Sequence, residues 1–95
     1  MLDFYADWCV SCKEMDRFTF SDPQVQARLA GTLLLRVDVT ANDADDKDLL
    51  KRFRLFGPPG IIFFDRGGRE IAGLRVIGYQ PPDKFIKSLD LAASF

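Results

Sequence analysis

Apolar residues fall along this chain in short runs divided by polar turns, and the spacing within each run predicts an element. The run MLDFYA at 1–6 reads as a strand, and VSCKEMDRFTF from about Val10 reads as a helix entered through a turn that carries Cys9. SDPQVQARLA follows as a second short helix or a bent continuation, with Ser21 or Asp22 as N-cap, Pro23 at the first helical position and Gly31 as the stop. TLLLRVDVT at 32–40 is nearly continuous in apolar residues, which predicts a strand beside 1–6, buried on both faces of a partly parallel sheet. NDADDKDLLKRFRLF predicts a helix capped by Asn42, with acids in its first turn and Lys51, Arg52 and Arg54 towards its end, as the macrodipole favours. IIFFD at 61–65, Gly67-Gly68 and REIAGLRVIGY at 69–79 read as a β-hairpin, and PPDKFIKSLDLAA as a closing helix entered through a proline.

Strand, helix, strand, helix, hairpin, helix is the order of an α/β sheet with helices on its faces. Its first two strands should be parallel through a right-handed crossover. The 95 residues make one domain, 1–95, with no room for a second core. Hydrophobic residues at 47%, nine of them Phe, suit a packed core, and a net charge of −1 leaves no field to attract nucleic acid or an anionic membrane. No apolar run approaches the roughly 20 residues of a membrane helix, so the domain itself is not expected to insert, and nothing in the pattern calls for more than a monomer. Met1 opens directly into an apolar run with no cap, turn or polar lead, which reads as a piece cut from a longer protein.

Chemistry enters with FYADWCVSCKEMD at 4–16. A Cys-x-x-Cys at the start of a helix puts Cys9 where unpaired backbone N–H groups favour a thiolate, the attacking form of sulfur. Cys12 then sits one helical turn behind, placed to displace a mixed disulfide and release the reduced partner. A structural zinc needs about four ligands, and the chain has no His and no third Cys, so no metal is expected. A disulfide closing so short a loop removes little entropy from the unfolded chain, which makes a purely structural staple a weak reading. Redox chemistry of the pair, with no cofactor beyond its own disulfide, is favoured over these two.

DFYADWCVSCK resembles the active-site strand and turn of thioredoxin-like proteins, with a Trp before the first Cys and a Lys after the second. YADWCVSCKEMDRFTFSDPQVQARL, VDVTANDADDKDLL and FGPPGIIFFD together are similar to the C-terminal domains of the DsbD family of membrane electron transporters. The resemblance implies a thioredoxin-like α/β fold with a mixed central sheet and helices on both faces, here lacking the family's first strand and helix. It also implies a periplasmic, soluble domain of an inner-membrane protein, acting in periplasmic electron transport and cytochrome c biogenesis. Such a domain takes two electrons from the transporter's membrane-embedded domain and passes them to its N-terminal periplasmic domain, so its partners are protein thiols and disulfides. A free-standing thioredoxin-like reductase, and a non-catalytic interaction module holding a metal or an inert disulfide, are the alternatives.

The resemblance also bears on residues around the pair. Simple alternation makes Asp3 a solvent-facing polar residue, whereas the family places an acid here beneath the cysteines, suited to take the proton from Cys12. Asp16 shares a helix side with Cys9 and Cys12, where the family tends to carry Glu; its charge would oppose a thiolate. Pro59 of GPPG matches the family's cis-proline, and Pro58 the residue that grips an extended substrate, for which a proline offers a C=O but no N–H. Trp8 is read as part of an apolar docking rim. Phe56, Tyr5, Phe18, Phe20, Phe63 and Phe64 are read as core or flank.

Overall fold

The computed structural model describes residues 1–95. Strand β1 (Leu2–Tyr5) leads into α1 (Val10–Glu14), which runs on into a wide π-helical turn at Met15–Thr19. Helix α2 (Pro23–Leu29), β2 (Leu35–Asp38), α3 (Ala44–Arg52), β3 (Gly60–Ile62), β4 (Val76–Ile77) and α4 (Pro82–Ala93) complete the chain. The sheet order is β2-β1-β3-β4, with β1 and β2 parallel, and β3 antiparallel to both β1 and β4. This is the mixed sheet expected of a thioredoxin-like α/β fold. Its register sets Asp3 opposite Arg36 on one side and Ile61 on the other.

Local chemistry explains most of the boundaries. The Asp22 carboxylate accepts from the N–H groups of Gln24 at 2.8 Å and Val25 at 3.3 Å, and Pro23 loses nothing in the first turn, where its missing N–H would be unpaired anyway. The cap of α3 is Asp43, which accepts from the Asp46 N–H at 2.9 Å; the expected Asn42 instead takes a left-handed backbone, φ 49°, just outside the helix. In the wide turn the Phe20 N–H reaches back to the Met15 carbonyl at 2.8 Å, a spacing the apolar pattern does not encode. That turn is docked from below: the Thr19 hydroxyl donates to the Gln80 carbonyl at 2.5 Å and the Gln80 N–H points at the Met15 sulfur at 3.3 Å.

Two cores lie on opposite faces of the sheet. Met15, Val25 and Leu29 meet Phe85 and Leu89 of α4 over Ile61, Phe63 and Val76. Phe85 is fully buried, with Phe20 edge-on at 5.6 Å and Phe63 tilted at 6.2 Å. On the other face Phe4, Val39, Ile62 and Leu50 of α3 pack together with both cysteines.

Three expectations besides the Asn42 cap fail here. Residues 32–40 do not make a strand buried on both faces: β2 is the sheet edge, and Leu33, Leu34 and Leu35 are all exposed. The hairpin is also shorter than its sequence suggests, because only Gly60–Ile62 and Val76–Ile77 pair as strands, with an isolated bridge between Phe64 and Glu70. Between them the connection is closed by backbone bonds from the Ile71 N–H to the Phe63 carbonyl and from the Asp65 N–H to the Arg69 carbonyl, both 2.8 Å, and Arg75 forks onto Glu70 at 2.6 and 2.8 Å. Finally, Phe18, Phe56 and Phe64 are surface residues, Phe56 wholly so.

Candidate active site

The site is built where β1 gives way to α1. The Cys9 N–H bonds the Ala6 carbonyl at 3.1 Å, turning the chain, and the turn is moored to the end of β2. Asp7 donates its N–H to the Thr40 hydroxyl at 2.9 Å, and the Trp8 indole N–H donates to the Thr40 carbonyl at 3.0 Å. Thr40 is held in turn by Asp38, which accepts from both its N–H, at 2.8 Å, and its hydroxyl. Those bonds, the hydroxyl's first, keep the Asp38 carboxyl below its ordinary range.

Cys9 caps α1 in an extended conformation, and the Cys12 N–H donates to the Cys9 sulfur at 3.1 Å. The two are joined as a disulfide, with Cα atoms 5.3 Å apart, and both are buried. The Cys12 sulfur lies 3.9 Å from the Phe4 carbonyl oxygen. One sulfur therefore sits under a backbone donor and the other beside a backbone acceptor, which separates their chemistry: a donor favours a thiolate and an acceptor favours a protonated thiol. No group of three or more His, Cys, Asp or Glu side chains stands together as a metal site.

Asp3 is buried, contrary to what alternation alone suggests. Its polar partner is Arg36, whose Nε lies 3.0 Å and whose terminal nitrogen 2.8 Å from the same carboxylate oxygen. Arg36 also takes Asp16 in a two-pronged grip at 2.6 and 3.1 Å. Burial pushes the Asp3 carboxyl up, and the charge and hydrogen bond of Arg36 pull it only part of the way back. Arg36 itself is held protonated, first by its hydrogen bonds to Asp16. Neither carboxylate bonds a cysteine directly. Asp16 thus enters the site as a partner of Arg36.

A carboxyl whose folded pKa lies above its unfolded value binds the proton more readily when folded, so it loses stability as pH rises through that interval and is indifferent beyond it. Asp3→Asn, neutral at every pH, removes this dependence. The stability of the natural chain relative to Asp3→Asn should fall as pH rises from the ordinary carboxyl range through the raised folded value, then level off. Paired urea melts across pH 3 to 8 check this, and a relative stability that instead climbs with pH would mean that the arginine outweighs burial.

The peptide between Pro58 and Pro59 is cis, with both prolines half-buried, and the buried strand residue Gly60, paired with Phe4, follows. Trp8, at 55% exposure, Val10 and the fully exposed Phe56 are each surface residues. Lys13 donates to the Tyr5 hydroxyl at 3.2 Å, and that hydroxyl donates to Asp7 at 2.9 Å. The bond to Tyr5 is the main reason the Lys13 amine is held above its usual range. Sequence reasoning missed Arg36, Thr40 and Val10. The first two act only through a cross-strand register, and the third gave no signal beyond being an apolar residue at an exposed helix start.

The thioredoxin-like domain family matches residues 1–93. The chain belongs to that family. Among thioredoxin-like domains it is similar to the C-terminal domain of DsbD from Neisseria meningitidis in its oxidised form. The TM-score is 0.85 at 40% identity, over 96% of this chain and 77% of that one. It also resembles a thioredoxin from Thermus thermophilus, with a TM-score of 0.79 at 26% identity over 97% of this chain and 71% of that one. In sequence it is 61% identical over 89 residues to the thiol:disulfide interchange protein DsbD of Ralstonia nicotianae, which covers 94% of this chain and 14% of that protein. This thioredoxin-like domain therefore spans about a seventh of the length of that relative.

Proposed function

We propose that the chain is a thiol–disulfide oxidoreductase domain that relays two electrons through Cys9 and Cys12. The observation that carries this is the disulfide at the start of α1, with the Cys12 N–H directed at the Cys9 sulfur. In the reduced state that N–H stabilises a Cys9 thiolate. The thiolate attacks one sulfur of a partner disulfide, forming a Cys9–partner bond and expelling the partner's other sulfur as a thiolate. Cys12 then gives up its proton and attacks the Cys9 sulfur, forming the Cys9–Cys12 disulfide and releasing the second partner thiolate. The partner gains two electrons and the chain loses two. Asp3 is the acid–base group we assign to the Cys12 proton, on the strength of its burial, its raised carboxyl and its place next to Phe4, whose carbonyl oxygen lies 3.9 Å from the Cys12 sulfur.

Reduction of the disulfide by a dithiol upstream reverses these steps. The likeness to DsbD supports a position between a membrane-embedded domain and an N-terminal periplasmic domain of one transporter, and hence a periplasmic setting. No helix of this chain is long and apolar enough to cross a membrane. Trp8, Phe56 and Val10 supply an apolar docking rim, and Pro58 and Pro59 a rigid edge that can accept but not donate backbone hydrogen bonds.

The reading is tested by alkylating the reduced protein at a series of pH values and mapping the modified peptides by mass. Cys9 should be modified well ahead of Cys12 at every pH below that of full reaction. Equal reactivity of the two thiols would remove the physical basis for an attacking and a resolving sulfur.

A further inference from the structure

Beyond the cysteines, one cluster of charged side chains is tied together more tightly than any other. Arg36 comes from the edge strand β2, Asp3 from β1 and Asp16 from the wide turn after α1, so three separate elements converge on one guanidinium. The same guanidinium lies over the Tyr5 ring, 4.6 Å from its centre. An arginine gripped by two carboxylates and a ring face is fixed in direction, and a planar fork of this kind is not replaceable by a lysine. The side chains of Arg36 and Asp16 are about two-fifths exposed, whereas that of Asp3 is only 10% exposed. The cluster therefore runs from solvent to a buried carboxyl along one wall of a groove of about 500 Å³, whose apolar lining includes Met1, Phe20, Leu29 and Leu34.

Asp16 follows Cys12 by one helical turn, and Asp3 adjoins Phe4, whose carbonyl oxygen lies 3.9 Å from the Cys12 sulfur; carboxylates so placed oppose formation of a thiolate, and a cation bonded to both offsets that opposition. We propose that Arg36 is a positioning residue for the dithiol chemistry, holding Asp3 and Asp16 together as one ionic cluster so that Asp3 never faces the cysteine pair as a lone charge. This rests on the oxidoreductase reading above. The other groups that face the cluster are few. Lys13 of α1 lies over the Tyr5 ring at 5.8 Å, Asp7 in the loop bonds the Tyr5 hydroxyl, Asp38 of β2 stands opposite Tyr5, and the Met1 amino group bonds the Leu33 carbonyl at the far end of the groove. From β3 the neighbour of Asp3 is Ile61, which carries no charge. Arg36 is accordingly the one cation that bonds both carboxylates.

The test is the pH dependence of Cys9 alkylation in the full chain, comparing the natural protein with Arg36→Gln and Arg36→Lys, with Arg28→Gln as a control that removes a distant exposed ion pair to Asp90. Arg36→Gln should move the midpoint upward by about one pH unit, which is about tenfold slower reaction at a fixed pH below it. Arg36→Lys, which keeps the charge without the fork, should fall between, and Arg28→Gln should not move. An unmoved midpoint in Arg36→Gln overturns the proposal; if Cys9 still reacts ahead of Cys12 in the natural protein, the oxidoreductase reading survives that result. Circular dichroism establishes that each variant is folded. Should Arg36→Gln fail to fold, Asp16→Asn answers the same question from the other side, since removing one of the two carboxylates must lower the midpoint, and an unchanged or raised value overturns the proposal.

Discussion

Cys12→Ser should arrest the chain as a covalent adduct with its partner. Cys9 retains the backbone donor at position 12, so it can still attack a partner disulfide and expel one thiolate. The next step needs a sulfur at position 12, and a serine hydroxyl at neutral pH is not a competent nucleophile towards a disulfide. Turnover should drop to the rate without protein, while one equivalent of partner accumulates on Cys9 and is released by added thiol. Intact mass under non-reducing conditions, before and after dithiothreitol, measures both. Continued turnover without an adduct would show that an outside thiol, and not Cys12, resolves the mixed disulfide. Cys9→Ser should form no adduct at all, which separates attack from resolution in one experiment.

The largest loss of stability is expected from Phe85→Ala. Phe85 has no exposed surface and joins α4 to the wide turn and to β3 through Phe20 and Phe63. Truncating a buried Phe to Ala removes its transfer free energy and leaves a cavity, together about 3–5 kcal/mol. For a domain of this size each 1 kcal/mol is about 4–8 °C of Tm, so the midpoint should fall by more than about 10 °C. Thermal melts of the oxidised chain test this. A loss under about 1 kcal/mol would mean that the core around α4 collapses into the gap and is far looser than its close-packed rings imply.

What the sequence disclosed and what it hid divide along one physical line. Local signals carry far: the Cys-x-x-Cys turn, Asp22 and Pro23 opening α2 and the proline start of α4 each depend on residues within a few positions of one another, whereas the cis bond before Pro59 is legible only through the family resemblance. Leu33, Leu34 and Leu35 were misjudged because an apolar run looks the same whether its strand lies inside the sheet or at the rim, and only the strand order decides. Asn42 and Asp43 are equivalent as caps on paper, and a single left-handed backbone step at Asn42 chose between them. Arg36 was invisible for a related reason. Its meaning comes from lying across from Asp3 in a parallel register, and no periodicity within β1 or β2 encodes that partnership. Asp3 itself needed the family resemblance, since alternation pointed it outward.

The mooring at Thr40 carries a further consequence, for how the entry to α1 is kept in step with the sheet. A residue just past β2 receives the Asp7 N–H on its hydroxyl and the Trp8 indole N–H on its carbonyl, and is itself clasped by Asp38. Two stretches more than thirty positions apart in sequence are therefore latched by one residue, so the turn that carries Cys9 inherits its rigidity from the second strand as well as from its own helix.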